Sequence, residues 1–219
     1  MQFIKAVIFD FDGLLVNTEE LRELSIKNFL EKYGKRFNHK DYKETVTGSR
    51  DEVTRFLKKK YQLTGKVAVL SEERRVFFDQ LFQERLALME GVTEILVRVK
   101  RWNVKCGIAA GRGRVDVLDG LKRVGILDYF EAIVTADEAL KRKPDPEVYL
   151  IAAKELKVEP RSCLALDDSP HGVESAKAAG MKVIYVPSAR YFDNWHDDAD
   201  LIVKSLHEIT DEIFNKLSK

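Results

Sequence analysis

Two short runs in the 219-residue chain place carboxylates at spacings that could do chemistry, Asp10-Phe11-Asp12-Gly13 and Asp167-Asp168-Ser169. In extended chain a spacing of two points both side chains to one side, and Gly13 allows a sharp backbone turn behind them. A lone Asp-x-Asp is most simply a turn. A second Asp pair closing another apolar run changes that reading, because carboxylates delivered to one edge repel each other unless a cation sits between them. With only 4 histidines in the chain and oxygen donors in both runs, the cation expected is Mg2+ rather than Zn2+.

The first run closes Phe3 to Asp10, a short β-favouring apolar stretch, and the second closes Cys163 to Asp167. Similar runs recur at Val104 to Ala110, Ala132 to Ala136, Lys182 to Val186 and Asp200 to Lys204. Segments of helical spacing separate them, at Val92 to Lys100, Arg114 to Val124, Pro146 to Lys157, Gly172 to Ala179 and Leu206 to Leu217. Strands apolar on both faces that alternate with helices predict an α/β domain, a doubly wound parallel sheet covered on both sides. In that topology ligands sit beyond the carboxyl ends of the strands, where the Asp runs fall.

The alternation breaks between about Leu15 and Leu88. Leu21, Leu24, Phe29, Leu30 and Tyr33 fit one amphipathic helix, Val53, Phe56 and Leu57 a second, and Phe78, Leu81, Phe82, Leu86 and Met89 a third. The expected organisation is a core of residues 1–14 and 89–219 interrupted by an all-helical cap of residues 15–88. The cap carries sixteen Lys and Arg against twelve Asp and Glu, so a net +4 insertion accompanies a net −3 core. The Lys58-Lys59-Lys60 run reads as a solvated helix end.

The whole chain has 37 Lys+Arg and 36 Asp+Glu, and this near-neutrality argues against a nucleic-acid partner. Its 45% hydrophobic content excludes a disordered chain. Two cysteines cannot form a disulfide framework, and Cys106 and Cys163 read as small buried hydrophobes. Asp10 and Asp12 interrupt the N-terminal apolar stretch, and no run is long enough to span a bilayer. A cytoplasmic protein with no membrane partner is expected, with a monomer as the default.

Three segments together resemble the haloacid dehalogenase superfamily: Asp10 to Glu19 (DFDGLLVNTE), the Lys-Pro of Arg142 to Tyr149 (RKPDPEVY), and Leu166 to Met181 (LDDSPHGVESAKAAGM). The similarity covers essentially the whole chain. It points to the helical-cap branch, which includes phosphoglycolate phosphatase-like and β-phosphoglucomutase-like enzymes. The resemblance implies a Rossmann-like core and an Mg2+-dependent phosphoric monoester hydrolase acting on a small phosphorylated metabolite, a sugar or polyol phosphate. Asp10 would be the nucleophile that becomes an aspartyl phosphate, and Asp12 the acid and then the base. Asp10, the Asp12 backbone carbonyl and Asp168 would hold the cation, with Asp167 helping directly or through water. Lys143 would neutralise charge on the nucleophile and the transferring group. Family dehalogenases lack the second Asp of the first motif, so Asp12 favours phosphoryl transfer. Independently, Asp145-Pro146-Glu147 reads as an N-cap with Pro at the first helical position, presenting Lys143 just ahead of a helix.

One motif departs from the family. Where relatives carry a Ser or Thr that binds phosphoryl oxygens, this chain has Ala110 and Gly111. Either the Gly111 N–H with Arg112 or Arg114 replaces the hydroxyl, or turnover is weakened and the protein binds more than it converts. In the cap, Thr47 to Arg50 reads either as a Gly-Ser turn capping a helix from Asp51 or as a substrate loop, with Arg50 meeting a distal anionic group. Gly91 reads as a hinge. His171 reads as an exposed rim residue, and Trp195 and His196 as surface or packing residues. Mutase-type relatives have a His where this chain has Arg22. A phosphosugar mutase and a non-catalytic phospho-ligand-binding protein therefore remain the alternatives.

Overall fold

The computed structural model describes residues 3–45, 49–187 and 198–218. The chain divides into two compact units, residues 1–17 with 87–219, and residues 18–86.

The first unit is a six-stranded, all-parallel sheet in the order β3-β2-β1-β4-β5-β6. The strands are β1 (Ala6–Phe9), β2 (Lys105–Ala109), β3 (Ala132–Val134), β4 (Cys163–Asp167), β5 (Lys182–Tyr185) and β6 (Leu201–Ile202). β1 lies at the centre because its four residues, Ala6-Val7-Ile8-Phe9, can be covered on both faces, and all four are fully buried. Ala6 and Ile8 join the cluster made by Val148, Tyr149, Ala152, Val173 and Ala176. Alternation sends Val7 and Phe9 to the opposite face, where Phe9 meets Phe130 edge-on. Each fully buried Ile or Phe contributes roughly 1.5–3 kcal/mol. Both cysteines are buried as expected.

The core helices in this unit are Val92–Arg101, Arg114–Arg123, Glu147–Glu155 and Pro170–Ala178. The predicted helix from Leu206 to Leu217 is instead a 3-10 turn (Leu206–Glu208) followed by a helix (Asp211–Leu217). The break falls where the Thr210 hydroxyl accepts the Ile213 N–H and starts a new helix. The final helix is held by Phe214 stacked on Trp102 at 4.0 Å and by Asp211 accepting from Arg101 and the Trp102 indole.

The second unit is helical, with α1 (Thr18–Lys32), a 3-10 segment (His39–Thr45), α2 (Arg50–Tyr61) and α3 (Val67–Arg85). α3 packs against both α1 and α2, with Phe29 meeting Phe77 edge-on. The third helix ends at Arg85, short of the predicted Met89, whose N–H donates to Leu15 O. Asn17 and Ala87 likewise bond to each other, so both linker segments belong to the first unit. Lys58 is less solvated than its run implies, because its ammonium closes the end of α2 on the Leu63 and Gly65 carbonyls. No described helix is long and apolar enough to cross a membrane.

Candidate active site at the carboxyl ends of β1 and β4

The central strand β1 has β2 on one side and β4 on the other, so the chain order reverses around it. The crevice beyond β1 and β4 is therefore the topological switch point of the sheet, where side chains from both strand ends converge. Asp10 follows β1 directly, its N–H donating to Leu166 O of β4, and it is buried. Asp167 ends β4 with no exposed surface, and Asp168 is buried immediately after it.

Lys143 joins the two strand ends. Its Nζ lies 2.6 Å from Asp10 Oδ1 and 2.8 Å from Asp167 Oδ2. Desolvation works to lower the Lys143 pKa, but the two carboxylates outweigh it and hold the ammonium well above its ordinary value. Asp167 is saturated: Oδ2 accepts from Lys143 and from the Tyr149 hydroxyl at 2.6 Å, and Oδ1 from the Ser169 N–H and hydroxyl. Asp167 thus orients Lys143.

Sequence reading missed three residues behind this arrangement. Tyr149 looked like one more apolar-face residue of a helix. Ser169 caps the helix from Pro170, its Oγ accepting the Gly172 N–H. Gly172 has no Cβ because one would lie 1.9 Å from Asp167 Cγ, so the carboxylate occupies the space over that helix start. The Ser-Pro-x-Gly pattern signals a helix start, but nothing in it announces a carboxylate packed on the glycine. Lys143 does precede a helix start, though the predicted cap is shifted: the helix begins at Glu147 with Pro146 at the cap position, while Asp145 Oδ1 accepts the Glu147 N–H.

Asp12 has a different cation. Arg112 Nε donates to Oδ1 at 2.9 Å and to Oδ2 at 3.2 Å, and its Nη2 lies 2.8 Å from Oδ1. The Arg112 fork therefore already grips Asp12. Arg114 Nη1 donates to Ile133 O and Glu138, fastening the edge strand β3. Ala110 is fully buried, its N–H taken by Val134 O. Gly111 is exposed, and a Cβ there would meet nothing within 4 Å. Its backbone therefore faces open space next to the residue that grips Asp12.

Of the remaining predicted positions, Arg50 is exposed as the first residue of α2. Ser49 caps that helix in a reciprocal box with Glu52, which favours the capping-turn reading. Thr47, Gly48, Trp195 and His196 lie outside the described residues. His171 is exposed. Gly91 has a packing reason rather than a demonstrated hinge role: at φ +85° it starts a helix, and a Cβ would come within 2.9 Å of His207 N.

Burial pushes the Asp10 carboxyl up to about 8 against the pull of Lys143, and Asp167 and Asp12 add repulsion. A cluster with this excess of negative charge calls for further positive charge. The donors available beside it are carboxylate and carbonyl oxygens, which fit a small hard cation. Among the described residues no group of three or more His, Cys, Asp or Glu is placed to hold a metal ion.

The doubly wound sheet, the strand-end aspartates and the bridging lysine define a hydrolase class, and the chain belongs to it: the haloacid dehalogenase-like hydrolase family model matches residues 7–186. The chain is 33% identical over 187 residues to the phosphorylated carbohydrates phosphatase of Thermotoga maritima, covering 83% of this chain and 84% of the relative. It is 30% identical to the β-phosphoglucomutase of Bacillus subtilis, covering 97% and 95% of the two chains. The crystal structure of CbbY from Rhodobacter sphaeroides in complex with phosphate superposes with a TM-score of 0.76 at 26% identity, covering 94% of this chain and 96% of that one. The expected enzyme class, a phosphoric monoester hydrolase, agrees with the phosphatase among these relatives.

Proposed function

We propose that the protein is an Mg2+-dependent phosphatase of a small phosphorylated metabolite, a sugar or polyol phosphate, working through an aspartyl phosphate on Asp10. The carrying observation is the buried Asp10–Lys143–Asp167 bridge, which fixes one carboxylate oxygen of Asp10 while leaving its other oxygen outside that contact. The similarity to a phosphorylated carbohydrates phosphatase supports the substrate class.

Asp10 attacks phosphorus, forming a carboxylate O–P bond while the ester O–P bond breaks. Asp12 gives its proton to the leaving alkoxide, then takes one from the water that releases phosphate and regenerates Asp10. Lys143 balances charge on Asp10 and on the transferring group. The Gly111 N–H, with Arg112, offers donors where the hydroxyl is lacking. Asp10, the Asp12 carbonyl and Asp168 would hold Mg2+, which when bound polarises the phosphoryl group and supports ionised carboxylates.

The test is release of inorganic phosphate from a panel of phosphorylated metabolites. Activity is expected to need Mg2+ and to fall on the order of 10^4-fold or more in Asp10→Asn. Equal inactivity of wild type and variant across the panel, with ligands still stabilising the fold, would favour a binding protein. Similarity to a β-phosphoglucomutase keeps a second outcome in the panel, namely conversion of a sugar 1-phosphate to its 6-phosphate without net phosphate release. Against it, Arg22 stands where mutase-type relatives carry His, and its guanidinium pairs with Glu19 at 3.1 Å.

A further inference from the structure

The turn that carries Lys143 is braced from within and anchored from outside. Within it, the Asp145 N–H donates to Arg142 O at 3.0 Å, the Lys141 N–H to Glu147 Oε2 at 2.8 Å, and the Glu147 N–H to Asp145 Oδ1 at 3.1 Å. These bonds hold residues 141–147 together. The outside anchor is Ser175, whose hydroxyl donates to Asp145 O at 2.6 Å from 30 residues further along the chain.

Ser175 lies inside the helix Pro170–Ala178 and has no exposed surface. Alanine would favour that helix more, and a serine hydroxyl within a helix ordinarily bonds back to a carbonyl one turn earlier. Here the hydroxyl crosses to a different segment instead. A buried hydroxyl is unfavourable without a partner, so the crossing bond is what makes serine tolerable at this position.

The same helix face also sets Asp167. Ser169 at the cap gives its hydroxyl to Asp167 Oδ1 at 2.8 Å, Gly172 leaves the space that the carboxylate occupies, and Ser175 follows three residues later on the same side. Asp167 Oδ2 then takes the Lys143 ammonium at 2.8 Å, which also meets Asp10 Oδ1 at 2.6 Å. The contacts close into a circuit, running from the helix through Asp167 to the ammonium, and from the Lys143 backbone through Asp145 back to the helix. One helix thus governs both ends of the lysine side chain.

We infer that Ser175 is a positioning residue of the active site, setting through the Asp145 carbonyl the backbone position from which Lys143 reaches Asp10. Its effect on turnover rests on the phosphatase reading above, while its hold on the turn does not. Lys143 answers charge that develops on Asp10 and the transferring group, so a displaced base is felt in the transition state more than in substrate binding.

The experiment uses the full chain with Ser175→Ala, Lys143→Arg and the double variant. Alanine fits the space and favours the helix, so Ser175→Ala should melt within roughly 4 °C of wild type. Its kcat for phosphate release should fall roughly tenfold while KM changes by less than about threefold. In the Lys143→Arg background, where a fork of different reach has already replaced the ammonium, the same substitution should cost less than about twofold. A merely structural serine would not produce that non-additivity. Unchanged kcat in Ser175→Ala, a change confined to KM, or equal losses in both backgrounds would overturn the proposal. So would failure of Ser175→Ala to fold, unless Ser175→Cys folds with a lowered kcat and an unchanged KM. If Lys143→Arg shows no turnover, the split between kcat and KM decides.

Hydrogen exchange reads the turn without any substrate. The Lys141 and Asp145 amides should exchange roughly tenfold faster in Ser175→Ala, while the Asp10 amide, bonded to Leu166 O, keeps its wild-type rate. Unchanged exchange at both turn amides would overturn the anchor. If wild type turns over no phosphorylated metabolite, the phosphatase reading fails, and exchange still decides whether Ser175 holds the Lys143 turn.

Discussion

The ends of β4 and β2 flank the same central strand and handle charge in opposite ways. At β4, Asp167 is fully buried, accepts four hydrogen bonds, and is packed on a glycine that leaves no room for a side chain. At β2, Ala110 and Gly111 carry no polar side chain, and the donor arrives from Arg112, which grips Asp12. The first end is a rigid scaffold that fixes Lys143. The second has no polar side chain of its own and lies beside a longer, forked one. A saturated carboxylate tolerates little change, whereas an end that borrows its donors should be more adjustable.

The sharpest way to break this comparison is Gly172→Ala. A Cβ 1.9 Å from Asp167 Cγ must displace that carboxylate and strand Lys143, so we expect a loss of roughly 3 kcal/mol or more in urea unfolding. Phosphate release should fall with it. Wild-type stability in this variant would show that the β4 end is not the rigid one.

At the β2 end, Arg112→Gln should lower kcat/KM for phosphate release on the order of 10^2-fold, the usual effect of losing one donor to developing charge. Ala110→Ser, which restores the hydroxyl, should change the rate less. The reverse ordering would mean that Arg112 does not substitute for the missing side chain. The smallest effect is expected at Tyr149. Tyr149→Phe removes one of the four hydrogen bonds to Asp167 and should lower stability by roughly 1–2 kcal/mol in chemical unfolding. Its activity should fall less than that of Arg112→Gln. A larger fall would mean that Tyr149 does more than hold Asp167.

Much of the fold was legible because its signals are local. All six strands lie within the predicted apolar runs, since residues buried on both faces must be apolar whatever covers them. The three helices of residues 18–86 follow their apolar periodicity. The misreadings are local conflicts that context resolved. Thr210 broke a continuous helical pattern by capping a new turn, and Met89 left the helical pattern because its N–H pairs with Leu15 O. Asp10, Asp12, Asp167 and Asp168 were visible as strand-ending carboxylates, but Tyr149 and Gly172 were not. Each of those two reads as an ordinary helix residue until its neighbour is known.

By itself, then, the sequence determined the alternation of strands and helices, the helical insertion and the carboxylates that close β1 and β4. These depend on burial patterns and turn chemistry within a few residues. Only the tertiary structure decided which charge answers which. Lys143 reaches Asp10 across 133 residues, and Arg112 reaches Asp12 across 100. Such pairings follow from strand order and helix packing, and a charge in sequence carries no mark of the partner that the folded chain will bring to it.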